Sequence, residues 1–201
     1  MKSRNILGFS SLSRIYSTPI FIVFVAVFIC GAIAGSITGQ ISALADGSII
    51  QALAEQLTNQ AKLVPTFTEG LKSGMGAFAW QILIIFLGML RPAGLFICIA
   101  LTIRGFILAF STSALFGALG SKGIFISLFS SGMSAVITIP CLIVTAVACY
   151  VSAKQAPKGK KLGYFYVLRS QRGVLLICTI ISIWISTLRL PFAYAISHLF
   201  A

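Results

Sequence analysis

The stretch that decides the fold runs from Ala93 to Leu119 and reads AGLFICIALTIRGFILAFSTSALFGAL. Its residues are apolar except for a few serines and threonines and a single charged residue, Arg104. About 20 predominantly apolar residues are enough for an α-helix to cross the hydrocarbon core of a bilayer. The stretch therefore predicts a transmembrane helix that carries an arginine near its middle.

The composition of the whole chain predicts the same lipid environment. Of the 201 residues, 58% are hydrophobic and 9% are charged, and the mean hydropathy is +1.03. A soluble domain of ordinary composition has about 25% charged residues. A water-facing surface cannot be built from so few charges, so we expect an all-α integral membrane protein with one membrane domain.

Four further apolar runs are predicted to cross the membrane, at 19–38, 74–90, 133–152 and from 174 to Arg189 or one turn beyond. The run at 124–152 is too long for one straight span, and Ser130 and Ser131 interrupt it together with Gly132. We therefore expect a broken or re-entrant half-helix at 124–130. The predicted fold is a bundle of about five transmembrane helices with this one broken or re-entrant segment.

The predicted organisation has four parts. Residues 1–18 form a cytoplasmic segment, 19–39 an uncleaved anchor, 40–73 an extracytoplasmic amphipathic segment, and 74–201 a four-helix transmembrane domain. The anchor is longer than the apolar core of a signal peptide. In the amphipathic segment, Ser48 and Gln51 have the spacing of a capping box, and Thr66 and Glu69 repeat it where the next helix should begin.

The formal net charge of +12 is concentrated in short segments beside the apolar runs. With the N-terminus cytoplasmic, the inner side has ten basic residues: three in 1–18, Arg91, and six in the basic loop 153–173. The outer side has four basic residues and all three acids, Asp46, Glu55 and Glu69. The positive-inside rule thus predicts a cytoplasmic N-terminus and an extracytoplasmic C-terminus at the cell membrane.

The same charge pattern argues against a nucleic-acid partner and in favour of membrane lipids. Four lysines of the basic loop are candidates for contact with lipid headgroups, at about 1 kcal/mol each near an anionic surface. An equally good interpretation is that they only set the topology. These residues are Lys154, Lys158, Lys160 and Lys161.

Arg104 requires compensation, because a central arginine costs at least about 2.5–3.5 kcal/mol on membrane-insertion scales. No Asp or Glu lies in any predicted span. The candidate partners are carbonyl groups at the 130–132 break, the Thr138 hydroxyl, the Gln81 amide, a lipid phosphate, or a carboxylate on another protein. Arg104 is either a structural link beside Gly105, where another helix can approach closely, or a charge that binds a partner, lipid or substrate. The candidate structural or partner-binding residues are Arg104, Gly105, Pro140, Ser130 and Ser131.

The chain has few of the side chains that enzymes use for catalysis. His198 is the single histidine, and the three acids all lie between 46 and 69. The five cysteines sit singly in apolar runs without a C-x-x-C pair, which is typical of small packing residues. We therefore expect no catalytic residues, no cofactor and no metal site. The lack of carboxylates in the spans also argues against a proton-coupled transporter.

From about 80 to 153 the chain has, in order, Trp80 and Gly88 in one span, a short Pro-containing turn, Arg104-Gly105 followed by Phe106 and Phe110, glycines at 120 and 123, a Phe-rich half-helix, and Ile139-Pro140. This order of features resembles the stage II sporulation protein M family. The sequence departs from the family pattern at Ala109 and at 130–132. The resemblance implies a non-catalytic membrane scaffold that acts in sporulation. Its implied partners are the cell-wall hydrolases, stage II sporulation proteins D and P, during septal peptidoglycan thinning and engulfment of the forespore.

Two other functions remain open at this stage. The bundle could be the membrane component of a transport system, either a permease partner or a small-solute transporter, because a central arginine and a helix break near Pro140 are features of transporter sites. The chain could also be a purely structural bundle whose basic loop binds anionic lipid.

Overall fold

The computed structural model describes residues 19–45, 67–90, 92–119, 132–155, 169 and 171–199. These residues form five helices, and no strand occurs among them. The helices are α1 (Pro19–Ala45), α2 (Phe67–Leu87), α3 (Ala93–Leu119), α4 (Met133–Gln155) and α5 (Arg172–Leu199). The all-helical part of the predicted fold is confirmed for this part of the chain.

Three of the helices are long and apolar enough to cross a membrane: Pro19–Ser42, Ala93–Gly117 and Ser134–Lys154. Two shorter apolar stretches are Met75–Leu87 and Arg172–Thr187. Large apolar side chains cover much of the outer surface, as on α1, where Ile22 is 69% and Ile33 is 56% exposed. Soluble monomers rarely expose contiguous apolar surface on this scale, and helices of this length and composition are typical of membrane proteins.

Helices α1 and α3 form the closest pair in the molecule. Gly31 and Gly35 of α1 lie against the backbone of Thr102 and Phe106 of α3, and Gly39 lies against Phe110 one turn further on. Small residues let two backbones approach this closely, which is the usual basis of helix pairing in lipid. The residue numbers of the contacting positions increase together along both helices, so α1 and α3 run in the same direction.

Helix α4 occupies the centre of the remaining bundle. All eight residues 142–149 are buried, so this part of α4 is covered on every side. It packs in the core with α1, α2 and α3, and a second cluster joins it to α5. The main core residues are Phe24, Ile84, Ile97, Leu101, Leu142, Ile143, Ala146, Val147 and Cys149.

Several threonine side chains are satisfied within their own helices. Thr102 donates to the carbonyl of Cys98, Thr145 to that of Cys141, and Thr179 to that of Leu175, at 2.7–2.9 Å. In each pair the acceptor lies four residues earlier. A threonine bonded in this way leaves no polar atom to be compensated by lipid.

The helix bounds differ from the sequence prediction in three places. Helix α1 continues to Ala45, beyond the expected end of the anchor at residue 39. Helix α5 continues through Pro191 to Leu199, beyond the expected end of the span at Arg189 or one turn later, although its apolar stretch ends at Thr187. Helix α4 includes the predicted span 133–152 and runs without interruption through Pro140, so the break that the transport alternative placed near that residue is wrong. Pro140 lies in the interior of α4, where proline removes a backbone hydrogen bond, and neighbouring helices and hydroxyl side chains can satisfy the freed carbonyl.

Other boundaries agree with the prediction, lie a few residues from it, as where α2 ends at Leu87 and not at residue 90, or cannot be compared. Helix α3 has the bounds of the predicted span, and α2 begins directly after Thr66, the predicted capping residue. The half-helix at 124–130 and most of the amphipathic segment, 46–66, lie outside the described residues. The chain turns after α2 through Gly88–Leu90, where Met89 and Leu90 donate to carbonyls three residues earlier.

Candidate functional site

Arg104 packs against an aromatic ring from a neighbouring helix. Its guanidinium carbon lies 5.3 Å from the ring centroid of Trp80, which α2 contributes. Both residues are half-buried. A cation over an indole face is stabilised by about 0.5–1 kcal/mol at exposed sites and by about 2 kcal/mol or more when it is desolvated. The indole therefore supplies part of the compensation that the buried charge requires.

The next residue of α2, Gln81, connects α2 to α5. Its Nε2 donates to the Ser182 hydroxyl at 3.0 Å and to the Cys178 carbonyl at 3.3 Å. Its side chain is 2% exposed, and its Oε1 is buried with no hydrogen-bond partner in the described part of the chain. A buried carbonyl oxygen without a partner costs about 1–3 kcal/mol. The Gln81 Oε1 is thus a buried hydrogen-bond acceptor that no donor of the described residues satisfies.

Arg104, Trp80 and Gln81 line one cleft between α2, α3, α4 and α5. The cavity itself is small, about 10 Å³. The lining combines a cation, an indole, an amide and two hydroxyl groups with apolar walls. The lining residues are Ala77, Trp80, Gln81, Arg104, Thr138, Ile139, Leu142 and Ser182.

The cleft lies deep within the bundle. Phe24 meets Tyr150 edge to face at 5.9 Å between ring centroids, and an added Cβ at Gly94 would lie 2.9 Å from the Tyr150 ring. These three residues mark the end of the bundle where α1 and α3 begin and α4 ends. Arg104 is ten residues further along α3 than Gly94, which corresponds to about 15 Å at 1.5 Å per residue. That distance is half of a hydrocarbon core of about 30 Å.

The predicted site residues separate in the structure. Gly105 lies next to Arg104, but on the side of α3 that faces α1, where an added Cβ would strike the Phe28 carbonyl. Pro140 is exposed on α4, while its neighbour Ile139 lines the cleft. Lys154 is exposed in the last turn of α4. Ser130, Ser131, Lys158, Lys160 and Lys161 lie outside the described residues.

Two of the partners expected for Arg104, Gln81 and Thr138, do share its cleft. Trp80 as the ring beneath Arg104 and the link from Gln81 to Ser182 were not predicted from the sequence. The signal was present: Trp80-Gln81 is an aromatic and amide pair in the middle of an apolar helix, where an unpaired amide would be costly. The glycines at 31, 35 and 39, spaced four residues apart, were a second missed signal.

The cysteines do not contribute to the cleft lining. All five are free, and Cys149 and Cys178 are buried. Cys141 of α4 packs beside Cys178 of α5. No group of three His, Cys, Asp or Glu side chains that could hold a metal ion occurs in the described ranges.

Neither a protein-family model, a curated protein nor a solved structure matches this chain. The function is therefore inferred from the site itself and from the order of the sequence motifs.

Proposed function

We propose that this chain is a non-catalytic scaffold of the cell membrane that acts in sporulation. In this role it recruits or positions peptidoglycan hydrolases for septal thinning and engulfment of the forespore. The main support is spatial: Trp80, Arg104 and Ile139, which belong to the motifs that resemble the stage II sporulation protein M family, line the same cleft. They come from three helices and span 60 positions of the sequence. Motifs that mark a shared site are expected to converge in this way.

The proposed topology has five membrane crossings, with the N-terminus cytoplasmic and the C-terminus extracytoplasmic. The parallel direction of α1 and α3 supports it, because two parallel helices require an odd number of crossings between them and α2 supplies one. The shorter apolar stretches of α2 and α5 are the remaining crossings. Orientation rests on the ten basic residues of the inner segments.

In this topology, two segments of the chain lie on the side of the membrane where the proposed hydrolase partners act. Hydrolases of the cell wall act outside the cytoplasmic membrane, where residues 46–66 and the end of α5 are proposed to lie. The chain itself offers one histidine and three acids, all the acids between 46 and 69, which is a poor basis for its own hydrolytic chemistry. A division of labour between a membrane scaffold and separate hydrolases accounts for both features.

Co-purification from sporulating cells tests the proposal. With a tag on the cytoplasmic N-terminus, the wild-type chain is expected to retain stage II sporulation proteins D and P, and its deletion is expected to block engulfment. An Arg104→Gln chain is expected to lose the hydrolases, whereas Trp184→Phe, on the exposed face of α5, serves as the matched control. Failure of the wild-type chain to retain either hydrolase, with normal engulfment in the deletion strain, would refute the proposal.

A second candidate is the membrane component of a transport system, either a permease partner or a small-solute transporter. The observation in its favour is the cleft at mid-depth with Arg104 in its wall. Helix α4 is continuous through Pro140, so no half-helix ends there. A helix break near Pro140 therefore no longer supports the transport function. Anion flux into proteoliposomes that disappears in Arg104→Gln would favour transport over the scaffold.

A further inference from the structure

Two cysteines that lie far apart in the sequence meet at the interface between α4 and α5. Cys141 packs against Cys178, and the two thiol groups are in hydrogen-bond contact. The Ser182 hydroxyl also forms a hydrogen bond with Cys141, and it accepts one from Gln81 Nε2 at 3.0 Å. The same Nε2 donates to the backbone carbonyl of Cys178. Side chains of three helices, α2, α4 and α5, therefore hold the two thiols together.

The donor set of this thiol pair limits the metal ions that can bind to it. Thiolate is a soft ligand that suits Cu(I), zinc and iron–sulfur clusters, whereas Ca²⁺ and Mg²⁺ require oxygen ligands. Structural zinc sites and iron–sulfur clusters take four ligands. Within the described ranges, no third His, Cys, Asp or Glu side chain joins the pair. Cu(I) is the ion that two sulfur ligands satisfy, because a monovalent d¹⁰ ion forms linear two-coordinate complexes.

We propose that Cys141 and Cys178 bind one Cu(I) ion as a two-coordinate dithiolate. The ion forms one bond to each sulfur atom, each thiol loses its proton, and both protons pass to water. No electron is transferred, because copper binds and remains as Cu(I). The ion takes the place of the thiol protons between two sulfur atoms that already meet, so a small separation of the sulfur atoms makes room for it. The sequence alone did not indicate a metal site, because the two cysteines lie in different apolar runs.

The Cu(I) dithiolate carries one negative charge, and Arg104 supplies a positive charge close to it. Ser182, which contacts Cys141, also lines the cleft whose wall contains Arg104. Opposite charges attract strongly in the low dielectric of a bundle interior. The guanidinium has five N–H groups, so it can keep its contacts within the chain and still favour a nearby anion. This inference goes beyond the proposed function and does not depend on the hydrolase partners.

A copper titration of the full chain in detergent tests the proposal. The protein is reduced and kept free of oxygen, ascorbate holds copper as Cu(I), and the absorbance of the chelator bathocuproine disulfonate reports the copper that the protein has not bound. Cys178→Ser removes one ligand, whereas Ser182→Ala and Arg104→Gln change only the surroundings of the ligands. Cys30→Ser, at an exposed cysteine of α1, is the matched control. X-ray absorption at the copper edge counts the sulfur neighbours of the bound ion.

We expect the wild-type chain and Cys30→Ser to bind one Cu(I) ion per chain with the same affinity and with two sulfur neighbours. Changes around the ligands of a metal site lower the affinity by about 10–100-fold, so Ser182→Ala and Arg104→Gln should each weaken binding within that range. Cys178→Ser should weaken binding by more than about 100-fold, because a direct ligand is lost. Zinc should not displace the bound Cu(I), since the site offers two of the four ligands that zinc takes.

Ser182→Ala guards against a folding artefact, because it keeps all five cysteines. Size-exclusion profiles and helix content by circular dichroism establish that each variant keeps its fold. Equal losses of affinity in Cys178→Ser and Cys30→Ser would mean that copper binds to any thiol of the chain and would overturn the proposal. So would three or more sulfur neighbours around the bound ion, or a wild-type chain that takes no Cu(I) from the chelator.

Discussion

Replacing Gly35 by alanine tests the contact that joins α1 to α3. The three atoms nearest to an added Cβ at this position are all backbone atoms of Phe106. Because the backbone of a packed helix cannot rotate aside as a side chain can, the two helices must separate or bend. The same substitution at Gly76 of α2 meets no atom within 4 Å, so Gly76→Ala is the matched control.

The expected magnitudes follow from two opposing terms. Overpacking in a well-packed interior costs about 1–3 kcal/mol, and a rigid obstacle favours the upper half of that range. Alanine gains about 0.5–1 kcal/mol over glycine as a helix former. We therefore expect Gly35→Ala to lower the free energy of unfolding by about 1–2 kcal/mol, and Gly76→Ala to raise it by up to about 1 kcal/mol.

The assay is equilibrium unfolding of the purified protein in mixed micelles titrated with a denaturing detergent, followed by circular dichroism. The two alanine variants have the same chemistry and opposite expected signs, so errors of extrapolation cancel in their difference. If Gly35→Ala proved as stable as Gly76→Ala, the close α1–α3 contact would be absent from the folded protein. If both variants were destabilised equally, glycine would be needed for a reason other than helix approach.

Two further predictions concern the remaining interfaces. In the same titration, Gln81→Leu should lower the free energy of unfolding by no more than about 1 kcal/mol. Hydrogen bonds between membrane helices average about 0.6 kcal/mol, and the substitution also removes the unpaired Oε1. A decrease of more than about 2 kcal/mol would show that Gln81 is mainly structural. In a chain that retains only Cys141 and Cys178, mild oxidation in membranes should join α4 to α5 by a disulfide, because these side chains pack together. A chain that retains only Cys30 and Cys178 should stay reduced under the same oxidation, and thiol counting by mass spectrometry distinguishes the two.

Much of the helical framework could be predicted because membrane helices are governed by length and hydropathy. The apolar run of α3 has no competing turn signal from Ala93 to Leu119, and the helix has those bounds. The prediction was poorer where proline was the signal. A helix break near Pro140 was expected for the transport alternative, and the last span was expected to end at Arg189 or one turn later. Both helices nevertheless continue through Pro140 and Pro191, since neighbouring helices in a bundle stabilise a helix that has lost one hydrogen bond.

The candidate site could be predicted only in part. The need to compensate Arg104 follows from the cost of a charge in hydrocarbon, and it selected Gln81 and Thr138 as candidates, which line the same cleft. It did not select Trp80, because the face of α2 that meets α3 depends on how the helices rotate about their axes. A helix that is apolar all round carries no hydrophobic pattern to fix that rotation. Packing of small residues decides it instead, as Gly31 and Gly35 do for α1.

The depth of Trp80 in the bilayer tests the central claim most directly. In the Trp184→Phe chain, fluorescence is quenched by phospholipids that carry bromine at defined positions along the acyl chain, with aqueous iodide as the opposing quencher. A cleft about 15 Å from the end of the bundle predicts the strongest quenching by bromine near the bilayer centre and little by iodide. Efficient quenching by iodide together with weak quenching by every brominated lipid would contradict a polar cleft built around Arg104 at mid-membrane depth.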